Sequence, residues 1–272
     1  MWIKELFEGR KPVIGMIHLD ALPGSAGYNA SKGLDEIIFK AHSDYMSLVE
    51  GGINAVIFCN ENDKPYSKNA GHELTSSMTA IISEIIGGSN TIPFGVDVQW
   101  DLFAALAIAM ATGASFVRGI ACGTFCGDLG IFTPDTKEII KYRAGIGASN
   151  IKILTNLMPE FSGTMDGRPI TLIARTVPKS SMVDAICVSG HMAGVAAPYN
   201  QLKEIKEAVG DFPVIANTGV NFETIGSILE IADACIIATS LKVQGKPGER
   251  IDKNRVIKMM EAVNQGVMTW AK

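Results

Sequence analysis

Two apolar runs near the C-terminal end of the chain, 214–216 and 234–238, each break into small polar residues. Asn217-Thr218-Gly219-Val220 follows the first and Thr239-Ser240 follows the second. Glycine lets backbone N–H groups approach a ligand closely, and the start of a following helix adds unpaired donors with a partial positive charge. Two such turns side by side would cradle a phosphate dianion. Ordinary strand-to-helix turns have the same composition, so other residues must say what the cradle would serve.

Upstream, polar groups recur where apolar runs end. His18 and Asp20 follow the run 13–17, and by alternation His18 shares a face with Ile14 and Met16. An imidazole there could act as general acid or base near neutral pH; the alternative is a half-buried histidine that fixes the loop. Asn60, Glu61 and Asp63 follow 53–59, where carboxamides and carboxylates could bind sugar hydroxyls or move protons. Asp97 and Gln99 share one face of 93–98, Arg118 lies in 116–121, and Lys152 lies near the start of 150–155. Charges inside strands are costly unless paired, so Asp97 and Arg118 are expected to meet, with Lys152 completing the cluster either as a desolvated amine or as a structural plug. Asn156 follows its strand, and Ser189 and His191 cap 184–188. No nucleophile elbow surrounds Ser189, which argues against a serine hydrolase.

The elements that must hold these groups alternate regularly. Eight apolar runs are each trailed by a helical pattern, which implies a parallel sheet. Eight units fit a closed (β/α)₈ TIM barrel, an α/β fold, occupying 1–272 as a single domain. Strand assignments are 13–17, 53–59, 93–98, 116–121, 150–155, 184–188, 214–216 and 234–238. Asp101 is expected to cap a helix over 102–111, and Thr133-Pro134 to open one running to about 144. Connections after helices are short, whereas those after the second, fourth, fifth and sixth strands are long and carry the polar residues. That asymmetry points to the rim where barrel enzymes place their chemistry.

A formal charge of −4 lacks the basic footprint of a nucleic-acid binder, and no run reaches the length of a membrane span. The start lacks a signal-peptide core. Five cysteines without CxxC spacing suggest reduced thiols and a cytoplasmic location; the Cys122/Cys126 spacing is a weak metal signal.

The stretches VIGMIHLDALPGSAGY, Asn60-Glu61-Asn62-Asp63-Lys64-Pro65-Tyr66, ALAIAMATGASFVR, IKIL, AICVSG and ADACIIATSLK together resemble the BtpA/SgcQ family over nearly the whole chain. The resemblance implies a phosphate-binding type of (β/α)₈ barrel. One branch of that family is associated with photosystem I biogenesis, another sits among sugar-phosphotransferase and carbohydrate genes, and no particular reaction is implied. This chain departs from the family pattern in having Asn217-Thr218-Gly219 where a serine between glycines is common, and Ala238 in place of glycine before Thr239-Ser240. Loop 122–132 also diverges.

The expected function is an enzyme acting on a small phosphorylated metabolite, a sugar phosphate above all, by isomerase, epimerase or lyase chemistry. His18, Asp20, Glu61, Asp63, Arg118 and Lys152 would be catalytic. Asn217, Thr218, Gly219, Val220, Thr239 and Ser240 would hold the phosphate, and Asn60, Asp97, Gln99, Asn156 and Ser189 the rest of the substrate. No cofactor is expected, although His18, Asp20, Glu61 and Asp63 leave a divalent metal and a metal-dependent hydrolase open. The other competing class is an assembly or stability factor for a membrane complex. Barrels of this kind often pair, and the sequence does not say through which face.

Overall fold

Alternate residues of the same strands belong to two separate apolar cores. Ile14, Met16, Ala55, Ile57, Phe116, Leu154, Cys187 and Ile236 pack together on one side; Val13, Ile17, Val56, Phe58, Val117, Ile153, Ile186 and Ile237 pack with the helices on the other. A sheet buried on both faces with strict alternation closes most economically on itself. In the computed structural model, which describes residues 1–89, 92–190, 192 and 194–265, it does so.

The elements run α1 (Trp2–Leu6), β1 (Val13–His18), α2 (Gly33–Glu50), β2 (Ala55–Cys59), α3 (His72–Ser89), β3 (Phe94–Asp97), α4 (Leu102–Thr112), β4 (Phe116–Gly119), β5 (Phe125–Gly127) and β6 (Gly130–Phe132). They continue α5 (Thr136–Gly145), β7 (Lys152–Asn156), β8 (Ser162–Thr164), α6 (Ile170–Ser180), β9 (Ala185–Val188), α7 (Tyr199–Val209), β10 (Val214–Ala216), α8 (Ile225–Ile231), β11 (Ala234–Ile237) and α9 (Lys253–Gln265). The order β1-β11-β10-β9-β7-β4-β3-β2 closes into a barrel of eight strands, each parallel to its neighbours. The expected (β/α)₈ barrel is therefore the observed fold.

Three features were not expected. The first is α1, which plugs the N-terminal end of the barrel: Ile3 is fully buried in the inner core, and Trp2 donates from Nε1 to the Asp184 carbonyl at 2.9 Å. The second is a small antiparallel sheet, β6-β5-β8, built from the loops after β4 and β7. It turns the stretch 122–132 into a hairpin lid and ties it to the loop that follows β7. Gly127 is needed there, because a Cβ would overlap the Phe161 carbonyl. The third is the cap of α5: Asp135, not Thr133, accepts the Glu138 N–H at 3.1 Å, since the helix begins two residues later than the proline suggested. Asp101 caps α4 as expected, accepting from Ala104 N–H at 3.0 Å. Among the described residues no helix is long and apolar enough to cross a membrane.

Candidate active site

At the C-terminal ends of the strands the barrel opens into a cavity of about 310 Å³, a size suited to a small metabolite. One wall is the pair of turns after β10 and β11: Asn217, Thr218, Gly219, Val220, Thr239 and Ser240 all line it. The Ser240 hydroxyl donates to the Val220 carbonyl at 2.7 Å, joining the turns. Thr218 Oγ1 accepts from the Gly190 N–H at 2.7 Å and donates to the Val195 carbonyl at 2.8 Å, so both hydroxyls serve the wall itself. Gly219 has φ +67°, and a Cβ there would overlap the backbone of Ala196. The glycine therefore admits the chain's own β9 loop. Among the described residues, no hydrogen bond engages the backbone N–H of Thr218, Gly219, Val220, Thr239 or Ser240. The full helix α8 starts only at Ile225, and Thr239–Leu241 is a single 3₁₀ turn, so any anion donors come from turn backbone and not from α-helix ends.

The opposite wall is charged. Arg118 NH1 is hydrogen-bonded to Asp97 Oδ2, as expected, and its NH2 lies 3.4 Å from Glu160 Oε1. Glu160 also accepts from Asn156 Nδ2 and Asn217 Nδ2, each at 3.3 Å, and so links β4, β7 and β10 across the mouth. Arg118 Nε and Asn156 Oδ1 are buried without a hydrogen-bond partner. Both residues line the cavity, and a buried polar atom without a partner is one that a bound polar group would satisfy. Glu61 accepts from Gln99 Nε2 at 3.2 Å. Burial raises its carboxyl above the usual range, against the lowering pull of Lys64, which suits proton transfer closer to neutral pH. Burial also raises the Asp97 carboxyl, while Arg118 pulls it back. For Arg118 itself, burial is outweighed by Asp97 and Glu160, and the guanidinium is held charged.

Trp100 and Phe161 roof the cavity, and both adopt positive φ, 67° and 60°. Backbone strain of this kind in non-glycine residues gathers at functional sites. Trp100 packs edge-on against Phe132 of the lid at 5.1 Å.

His18 is half-buried and lines the cavity beside Met16. Burial, with the charges of Lys242, Arg118 and Lys64, pushes its imidazole down to about 3. The ring is thus neutral at physiological pH and offers a hydrogen bond; the expectation of a base poised near neutrality needs that revision. As pH falls below 6.5 the unfolded chain takes up this proton first. The contribution of His18 to stability is complete above pH 6.5 and is lost on the way down to about 3, at up to about 1.4 kcal/mol per pH unit. Against a His18→Gln variant, the wild-type advantage in urea denaturation should shrink steadily through that window. A difference independent of pH would refute the buried neutral ring.

Other expected groups lie elsewhere. Lys152 stands at the first residue of β7, about 13 Å along the strand from Asn156, and pairs with Asp184 at 3.6 Å near the barrel floor, where Arg143 also binds Asp184 at 3.0 Å. It does not join Asp97 and Arg118. Asp20 turns away to Lys40 at 2.7 Å and Arg250 at 3.7 Å. Asp63 is buried, accepting from Leu22 N–H at 2.7 Å and Asn60 Nδ2 at 3.1 Å, while Asn60 Oδ1 accepts from Gln99 N–H at 2.8 Å; this pair staples three loops together and does not line the cavity. Ser189 is buried behind Asn217, whose Nδ2 it accepts at 2.7 Å. His191 lies outside the described residues. His18, Asp20, Glu61 and Asp63 do not converge, and among the described residues no group of three is placed to hold a metal ion.

Glu160, the hub of the mouth, escaped sequence reasoning. It is one of several polar residues in a long loop, and no spacing rule ties it to Arg118, 42 residues away. Lys242, in contact with His18, escaped as well.

The family model described as the BtpA family matches residues 9–265. The sgc region protein SgcQ of Escherichia coli (strain K12) is 40% identical over 263 residues, 97% of this chain and 98% of that protein. The Photosystem I biogenesis protein BtpA of Synechocystis sp. (strain ATCC 27184 / PCC 6803 / Kazusa) is 28% identical over 265 residues, 97% and 91% of the two chains. Among solved structures, thiamine phosphate pyrophosphorylase from Pyrococcus furiosus superposes with a TM-score of 0.59 at 15% identity, covering 96% of this chain and 99% of that one. At that identity the likeness establishes the barrel fold.

Proposed function

This chain belongs to the BtpA family, and we propose that it is an enzyme acting on a small phosphorylated metabolite, a sugar phosphate, by acid/base chemistry of the isomerase, epimerase or lyase type. The observation that carries this reading is the facing of two unlike walls across one small cavity. Backbone N–H groups of Thr218–Val220, Thr239 and Ser240, without a hydrogen bond among the described residues, stand on one side, and a buried guanidinium and a carboxamide, each with one unmet atom, on the other. The first wall would hold the phosphate. Arg118 Nε would donate to a substrate hydroxyl or carbonyl oxygen, and Asn156 Oδ1 would accept from a substrate hydroxyl. Glu61 would carry the proton, and the neutral His18 would steady charge building on oxygen, a role in which a fixed donor outperforms water.

Thermal unfolding against paired sugars and sugar phosphates tests this. A ligand at 100 times its dissociation constant stabilises by about 2.7 kcal/mol, so phosphorylated members should raise Tm by several degrees and their plain partners should not. A carboxylate placed in the cradle should abolish the shift by repelling the dianion. Thr239→Asp is the variant to use, because any side chain at Gly219 collides with Ala196 and would confound folding with binding. Equal shifts with phosphorylated and plain sugars would remove the reading.

A second reading, a partner-binding assembly factor, draws on exposed apolar side chains of the lid region, Ile131, Phe161 and Met165. It predicts no ligand-dependent shift at all.

A further inference from the structure

We infer that Lys242 sets the tautomer of His18: its ammonium occupies Nδ1, so the ring proton sits on Nε2 and the imidazole meets the cavity as a hydrogen-bond donor. Lys242 lies just beyond the 3₁₀ turn that follows β11 and is only 5% exposed. Its Nζ stands 3.4 Å from His18 Nδ1. An ammonium has three donors and no lone pair, so in this contact Nδ1 must accept, and a neutral imidazole that accepts at Nδ1 carries its hydrogen on Nε2.

The surroundings support that assignment. Lys242 and His18 both line a polar recess of about 410 Å³ behind the barrel mouth, and His18 alone of the two also lines the main cavity. The ring is the partition, with Nδ1 turned to the recess and Nε2 left for the cavity. No carboxylate competes for the ammonium at close range among the described residues. Asp44 is taken by Arg250 at 2.7 Å and by the Ile251 N–H at 2.9 Å, and Asp20 by Lys40 and Arg250. Burial lowers the Lys242 amine, with Arg250 adding to this and Asp44, Glu61 and Asp20 opposing it; Arg118 and Lys64 are the other cations that act on the ring. Lys242 is thus a positioning residue, acting through His18.

The inference rests on the reading of His18 as a cavity group, but its test needs no substrate. Protein labelled with ¹⁵N-histidine carries four histidines, and His18→Gln identifies the one in question. The ligand-free wild type should show an unprotonated Nδ1 and a protonated Nε2 that persist across neutral pH. Lys242→Met should give a mixture of tautomers and move the ring's titration upward, because a neighbouring cation is gone; Lys242→Arg should restore the wild-type pattern. A wild-type signal with the proton on Nδ1, or a Lys242→Met spectrum unchanged from wild type, would overturn the assignment. Either result could coexist with a phosphate-dependent Tm shift, which keeps the two proposals separable. Should Lys242→Met fail to fold, Lys242→Leu gives the same comparison.

Discussion

Replacing Asp97 by alanine should cost about 3–5 kcal/mol of folding stability, the range for removing one partner of a buried ion pair. Asp97 is 2% exposed and Arg118 7%. The guanidinium would be left in an apolar barrel, with only Glu160 at 3.4 Å to answer its charge. It also has no way to neutralise itself, because arginine does not lose its proton in proteins. The double variant Asp97→Ala/Arg118→Met should recover much of the loss, since an apolar side chain of similar length suits the layer formed by Phe116, Leu154 and Cys187. Urea denaturation of the single and double variants measures both effects. A single-variant loss below about 1 kcal/mol, as for an exposed pair, would mean that water reaches Arg118 and screens the pair. The double variant should meanwhile lose the phosphate-dependent Tm shift even though it folds, which separates the pair's role in binding from its role in stability.

The barrel was legible because its physical cause is local. Val13-Ile14-Gly15-Met16-Ile17 and its counterparts are apolar on both faces, and only a sheet covered on both sides tolerates that. The Asp97–Arg118 pair was legible for a related reason: charges at inward positions of neighbouring strands have few partners, and register brings Asp97 opposite Arg118. Loop geometry was not legible. The pairing of the β5–β6 hairpin with β8 depends on contacts between residues 35 to 39 apart in the chain, and composition showed only a glycine-rich stretch. Gly219 was read as an approach for a ligand, whereas its neighbour is the backbone of Ala196. Asp20 and Asp63 carry the right chemistry at the right strand ends, yet Lys40 and the Leu22 N–H claim them first. A sequence names the donors and acceptors at a rim but not which of them are consumed in holding the rim together. Lys152 shows the same gap from the other end, since one strand's two termini lie on opposite faces of the barrel.

Glu160 is where that gap matters most, and its removal should have the second large effect. Glu160→Ala leaves Arg118 NH2 and the amide groups of Asn156 and Asn217 without their shared acceptor. Truncating one partner of a buried hydrogen-bonded charge network costs about 2–5 kcal/mol in comparable settings. The cost here should fall on local order as well as on ligand affinity. Glu160 is two residues from β8, and β8 is what ties the lid to the barrel mouth. Amide hydrogen exchange should therefore quicken across 157–168 and 124–132 while the barrel strands stay protected. Glu160→Gln should behave differently. Its carbonyl can replace Oε1 toward Arg118 and Asn217, and its amide can donate to Asn156 once that side chain turns over to present the Oδ1 that now lacks a partner. The lid should then keep its protection. With one negative charge gone opposite the cradle, inorganic phosphate should bind more tightly than to wild type. Uniform exchange in Glu160→Ala, indistinguishable from wild type over both segments, would show that the lid is held by its strand pairing alone and that Glu160 is not the hub of the mouth.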